Sequence, residues 1–165
     1  MKMDNCFVPI VDENTEILIL GTSPGKESLL SGEYYKSTRD NFWKLIYKVY
    51  ESKSFDDNYD NKIQFLLKNK IGIWDVLSNF IREGSLDVNI KESEVNDFEQ
   101  LFDKSPNIKC IVFNGKNAEK YFKKKVPNYY NTINHVTVLS SSNSCAKTFE
   151  EKLENWKVAI KNVCK

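Results

Sequence analysis

The sequence predicts an α/β domain in which a parallel sheet is covered by helices. Two observations predict it. Apolar runs of strand length alternate with helix-period stretches along the chain, and the first such run is unbroken, as in a strand buried on both faces. That run, Glu16-Ile17-Leu18-Ile19-Leu20, empties into Gly21-Thr22-Ser23-Pro24-Gly25, a turn-forming cluster. A polar, tyrosine-bearing loop then reaches Arg39, and a helix starts near Asp40 or Asn41. Its Phe42, Leu45, Ile46 and Val49 recur at i, i+3, i+4 and i+7 on one face. A second helix is expected over 62–70, followed by the short strand Ile71-Gly72-Ile73-Trp74-Asp75-Val76. Residues 94–104 read as a helix with Val95, Phe98, Leu101 and Phe102 inward. A strand over 107–113 ends at Asn114-Gly115, where a helix over 116–125 begins. The last strand, 136–139, empties into Ser140-Ser141-Ser142-Asn143-Ser144-Cys145, a run of small polar residues unsuited to a core. The final helix, over 148–163, turns Leu153, Trp156 and Ile160 inward. With no repeat, linker or low-complexity stretch, one domain over 1–165 is expected.

Composition narrows the class. At 165 residues the chain can bury a core without disulfides or a structural metal. The longest apolar run is strand-sized and the N-terminal Met1-Lys2-Met3-Asp4-Asn5 lacks a signal-peptide stretch, so a cytoplasmic protein without membrane contact is expected. The four cysteines, Cys6, Cys110, Cys145 and Cys164, form no C-x-x-C pair, which argues against zinc ribbons and iron–sulfur clusters. In a reducing compartment Cys6, Cys110 and Cys164 read as free thiols, and one histidine, His135, cannot build a multi-histidine metal site. The net charge of +1 does not announce a nucleic acid, and Lys116, Lys120, Lys123, Lys124 and Lys125 read as a solvated helix face.

Open α/β sheets bind ligands beyond the carboxyl ends of their strands. Four places qualify: the loop after Leu20, the region after Trp74, Asn114-Gly115, and the serine run after Leu139. The block GTSPGKESLLSGEYYKSTRDNFWKLIY at the first of these resembles the first motif region of the mismatch-type uracil-DNA glycosylases. It resembles the hypoxanthine-DNA (deoxyinosine) glycosylases of the same superfamily more closely: a G-x-x-P-G-like turn, Tyr-Tyr, then N-x-F-W. The likeness continues through GIWDVLSNFIREGSLDVNI, NDFEQLF, IVFNGKNAEKYF and LSSSNSCAKTFEEKLENW, in the family's order and spacing, over nearly the whole chain after residue 15. The resemblance implies a three-layer αβα sandwich around a short, mostly parallel four-stranded sheet. It also implies a monomeric, monofunctional glycosylase that flips a deaminated base out of DNA and hydrolyses its glycosidic bond. Water is then the nucleophile, with no cofactor or metal.

It further implies roles. Tyr35 matches the residue on which the flipped base stacks; the plain alternative is a tyrosine closing the loop. Backbone groups around Thr22, Ser23, Pro24 and Gly25 would contact the base or hold the water. Ser23 stands where the mismatch-type enzymes carry a catalytic asparagine, and Asp40 stands where the hypoxanthine type has the asparagine of N-x-F-W, with Asn41 next. Either Asp40 polarises the water and stabilises a cationic sugar, or Asn41 does while Asp40 caps the helix; Asp40 ranks first. Asp75 would read the base, or face water as a loop acid. Asn114 would line the pocket or cap the following helix. Ser141, Ser142 and Asn143 would grip phosphates, Ser144 belongs to the same loop, and Cys145 falls where relatives insert a wedge. Two prolines of the family's serine motif are replaced by Ser140 and Ser144, which predicts a less rigid loop. A reading from another class is a DNA-binding protein that kept the fold and lost the chemistry.

Overall fold

The computed structural model describes residues 4–52 and 56–164. The signal-peptide reading falls in part on residues 1–3, outside the described residues. Four strands, β2 (Ile17–Gly21), β3 (Ile71–Asp75), β6 (Cys110–Asn114) and β7 (Asn134–Val138), form one parallel sheet in the order β3-β2-β6-β7. A second, antiparallel sheet, in the order β1-β4-β5, joins β1 (Asp4–Asn5), β4 (Leu77–Arg82) and β5 (Ile90–Val95).

Strand periodicity splits the core into two helical layers. On one face lie α2 (Phe42–Val49) and α7 (Phe149–Val158), where Phe42 packs edge-on against Trp156 at 5.9 Å. The expected apolar stripe of α2 is real: Phe42, Leu45, Ile46 and Val49 are fully buried. On the other face, Trp74 of β3 and Phe113 of β6 meet Phe98 of α4 (Phe98–Lys104) and Phe122 of α5 (Lys116–Lys125), with ring centroids 4.9–5.3 Å apart. Such a layered arrangement is the three-layer sandwich expected.

Several elements differ from expectation. Residues 94–104 are not one helix. Glu94 and Val95 belong to β5, and α4 begins at Phe98 because Asp97 caps it, accepting the Gln100 N–H at 3.0 Å. Asn96 breaks the chain between them, its amide donating to the Asp75 and Leu77 carbonyls. Helix α3 spans Tyr59–Lys68 rather than 62–70, since Asn58 caps it. A short α1 (Lys26–Ser31) and α6 (Pro127–Thr132), with proline at its start, were not anticipated. The cysteine reading is corrected too: Cys110 and Cys164 form a disulfide that ties β6 to the chain's end, whereas Cys145 is a free thiol. Among the described residues, no helix is long and apolar enough to cross a membrane.

Helix α7 carries on as a π turn over Ala159–Val163 and fixes where the last strand stops. The Leu139 N–H donates to Asn155 Oδ1 at 2.8 Å, and the Leu139 carbonyl accepts from Trp156 Nε1 at 2.8 Å. Both backbone groups of the residue entering the serine run are thus held from one helix. Trp156→Ala is expected to cost about 3–5 kcal/mol in urea unfolding. Trp156→Phe should cost about 1–3 kcal/mol, mainly for the orphaned carbonyl.

Candidate active site

The parallel sheet delivers Gly21, Asp75, Asn114 and Val138 to one edge. Two loops a hundred residues apart close over that edge by pairing their backbones. Asp40 and Ser142 form an antiparallel bridge. The Asn41 N–H donates to the Ser141 carbonyl at 3.0 Å, and the Asn143 N–H donates to the Arg39 carbonyl at 2.8 Å. The first motif and the serine run therefore make one rim.

Inside the rim Asn114 and Ser141 engage twice: Asn114 Nδ2 donates to Ser141 Oγ at 2.9 Å, and the Ser141 N–H donates to Asn114 Oδ1 at 2.9 Å. Asn114 Nδ2 also donates to the Tyr35 hydroxyl at 3.3 Å. The side chain of Asn114 therefore faces the site and does not cap α5. Gly115 takes the cap position at φ +95°, where a Cβ would stand 3.1 Å from that of Ser140. Having accepted from Asn114, the Ser141 hydroxyl donates to Asp40, whose Oδ1 also accepts the Phe42 N–H at 2.9 Å. One oxygen of Asp40 thus performs the helix-start task foreseen as its alternative role, while the carboxyl as a whole belongs to the cluster. Burial pushes its pKa up, against the Ser141 and Phe42 hydrogen bonds and the charge of Lys152. Asn41 enters through its backbone, its carbonyl accepting the Leu45 N–H at 2.8 Å.

Tyr35 adopts φ +55°, a left-handed conformation that costs a non-glycine residue about 1–2 kcal/mol. The ring is held there by stacking on Phe42, centroids 4.0 Å apart, and by the Asn114 hydrogen bond. Burial, then the charges of Asp75 and Asp40, keep its hydroxyl protonated far above neutrality. Asp75 is not the water-facing loop acid of the alternative reading; it is 3% exposed. A Cβ on Gly21 would lie 2.7 Å from Asp75 Oδ1 and 3.1 Å from the Tyr35 hydroxyl, so only glycine lets both groups sit over this strand end. Asp75 Oδ2 is buried without a hydrogen-bond partner. Burial first, and the charge of Asp87 second, raise its pKa to about 7 against the pull of Arg82.

Sequence reasoning missed what braces the first loop. Arg82, 1% exposed at its side chain, donates from Nη1 to Ser23 Oγ at 2.8 Å and from Nη2 to the Pro24 carbonyl, and pairs with Asp87 at 3.7 Å. Asp87 takes the Thr22 hydroxyl, and the Lys26 N–H next to Gly25 donates to Ser85 Oγ at 3.0 Å. The signal was an arginine ending the run Leu77-Ser78-Asn79-Phe80-Ile81, just before Glu83-Gly84-Ser85, where the β4–β5 hairpin turns. In the serine loop, Ser141 is fully buried and satisfied inside the protein. Ser142 and Cys145 are half-buried, and Asn143 and Ser144 are exposed. Where the family's prolines are missing, hydrogen bonds tie the loop. Ser140 Oγ accepts the Ser142 N–H at 3.2 Å, Ser142 Oγ accepts the Ser144 N–H at 3.2 Å, and the Ser142 carbonyl takes Lys152 Nζ at 2.9 Å.

The profile of the Uracil DNA glycosylase superfamily matches residues 8–162. A hypoxanthine DNA glycosylase of Methanosarcina barkeri is 38% identical over 155 residues, 94% of this chain and 96% of the relative. One from Methanosarcina acetivorans is 36% identical over 157 residues, covering 94% and 97%. A solution NMR structure from Methanosarcina acetivorans, described as a candidate uracil DNA glycosylase, superposes with TM-score 0.83 at 32% identity, covering 98% of this chain and 99% of that one.

Asp75 supplies a stability test. Its folded pKa of about 7 lies above the unfolded value near 3.9, so the folded state binds the extra proton. Stability is therefore gained as pH falls through about 7 and lost as it rises, by at most about 4 kcal/mol. Urea unfolding should find Asp75→Asn more stable than wild type at about pH 8 and equal to it near pH 4. Parallel curves for the two proteins would contradict the assignment.

Proposed function

The chain belongs to the uracil DNA glycosylase superfamily, and on that premise we propose that it is a DNA glycosylase that releases a deaminated base, hypoxanthine before uracil, at the start of base-excision repair. The observation that carries the reading is the Tyr35–Asn114–Ser141–Asp40 cluster, set at the strand ends of a chain related over its length to hypoxanthine DNA glycosylases.

A single domain acting alone on duplex DNA takes the flipped base against the face of Tyr35 opposite Phe42, where stacking gives affinity without demanding one base. Asp75, with a pKa of about 7, donates to an acceptor on the base when protonated and accepts a ring N–H when ionised. The Thr22–Gly25 backbone, braced by Arg82 and Asp87, forms the wall beside it. The exposed Asn143 and Ser144, with Ser142, meet the flanking phosphates, and Cys145 lies at the duplex edge.

The bond from base nitrogen to C1′ breaks with its electron pair leaving on the base. A water oxygen bonds to C1′, and Asp40 takes that water's proton while its charge stabilises the cationic sugar. What supports this role is that Ser141 and the Phe42 amide hold the Asp40 carboxyl in one orientation. The products are the free base and an abasic site.

Duplexes carrying one uracil, hypoxanthine or xanthine, cleaved with alkali after reaction, test this. Asp40→Ala should lose about 10²–10⁴-fold in single-turnover rate, and Asn41→Ala less than about 10-fold. The wild-type rate should fall as pH drops through the Asp40 pKa, which burial sets above the ordinary carboxylate value, and Asp40→Asn should lack that acid limb. DNA binding without turnover of any substrate would favour the non-catalytic reading instead.

A further inference from the structure

Lys152 is a lysine whose position no general rule explains. It lies in the first turn of α7, at the positive end of the helix dipole, where acidic residues are favoured and Glu150 and Glu151 are found. Thr148 and Glu151 form a reciprocal capping box that fixes this helix start. Lys152 is only 2% exposed, and a buried ammonium is costly unless paired and hydrogen-bonded. Nζ donates to the Ser142 carbonyl at 2.9 Å, and Ser142 is the residue bridged to Asp40.

We propose that Lys152 is a positioning residue for the reaction at Asp40. The ammonium holds the Ser142 carbonyl, and with it the rim, and supplies a buried positive charge that favours the carboxylate form of Asp40. The inference rests on the glycosylase reading for its catalytic part only.

Each element around Asp40 contributes one group. The serine run offers the Ser141 hydroxyl, α2 the Phe42 N–H, the first loop the protonated Tyr35, and α7 the charge of Lys152. The charges of Asp75 and Asp40 both raise the pKa of Tyr35, which keeps that hydroxyl neutral beside Asp40. Lys152 is the charged group among those opposing the burial penalty on Asp40. When bound DNA expels further water the penalty grows, and so does the effect of the counter-charge.

The test is a 13C NMR titration of the Asp40 carboxyl in intact wild type, Lys152→Arg, Lys152→Gln and Lys152→Met, beside single-turnover excision against pH. Lys152→Gln keeps an amide donor for the Ser142 carbonyl without the charge, and it remains informative if Lys152→Met does not fold. The Asp40 midpoint should rise by about 1 unit or more in Lys152→Gln and Lys152→Met, and stay within about 0.3 unit in Lys152→Arg. Excision by Lys152→Gln should then fall by up to about 10-fold on the acid limb of the profile and recover toward wild type at high pH, with duplex affinity nearly unchanged. A midpoint in Lys152→Gln equal to wild type would overturn the inference. If the midpoint moves but wild type excises no base, the glycosylase reading fails and the electrostatic placement of Lys152 stands. If excision depends on Asp40 and the midpoint does not move, Lys152 alone is wrongly assigned.

Discussion

The site depends on a short backbone pairing between two loops that the sequence keeps a hundred residues apart. The Asp40–Ser142 bridge and its flanking hydrogen bonds at Asn41 and Asn143 lock the first motif to the serine run. Isolated, such a pairing would be marginal, because closing so long a loop costs more entropy than two or three hydrogen bonds return. The two helices of one layer make it persist. Phe42 at the start of α2 and Trp156 of α7 pack together, and α7 grips both Leu139 and Ser142. Core packing thereby sets the geometry of a polar rim.

That rim encloses an unusual density of buried polar groups. Asp40 and Asp75 both act on Tyr35, and each has a buried cation supplied by another element: Lys152 from α7 for Asp40, Arg82 from the β4–β5 hairpin for Asp75. Burial outweighs these cations at both acids, so both pKa values remain raised. At about 7, Asp75 stands near the balance between protonated and ionised forms, which suits donor–acceptor reading of a base. The left-handed Tyr35 belongs to the same pattern, since local strain persists only where surrounding contacts over-determine it.

The parallel sheet was legible because its inner strands, β2 and β6, are buried on both faces and read as nearly unbroken apolar runs, and α2 because its stripe is complete. The second sheet was not. Ile90–Val95 shows no clean alternation, while Val95, Phe98, Leu101 and Phe102 fit a helix period, and only Asn96 and Asp97, as strand breaker and cap, decide between them. Missing that hairpin hid Arg82 and Asp87. At the site, the strand-end rule and the family motifs singled out Tyr35, Asp40, Asn114 and Ser141, which the fold brings together. Which of them face inward was not legible: Ser141 among four serines is the buried one because its backbone, not its side-chain type, lies opposite Asn114 and Asn41. Lys152 was hidden by its own surroundings, a lysine in a helix rich in Lys and Glu.

The central claim is that Asn114, Ser141 and Asp40 act on the reaction as one hydrogen-bonded unit. A double-mutant cycle of Asn114→Ala and Ser141→Ala, read as single-turnover excision of hypoxanthine at saturating enzyme, tests it most directly. The account predicts that the double variant is no more than about 3-fold slower than the slower single variant, since either change breaks the same chain to Asp40. Losses that multiply would contradict it and leave the two residues as independent contributors.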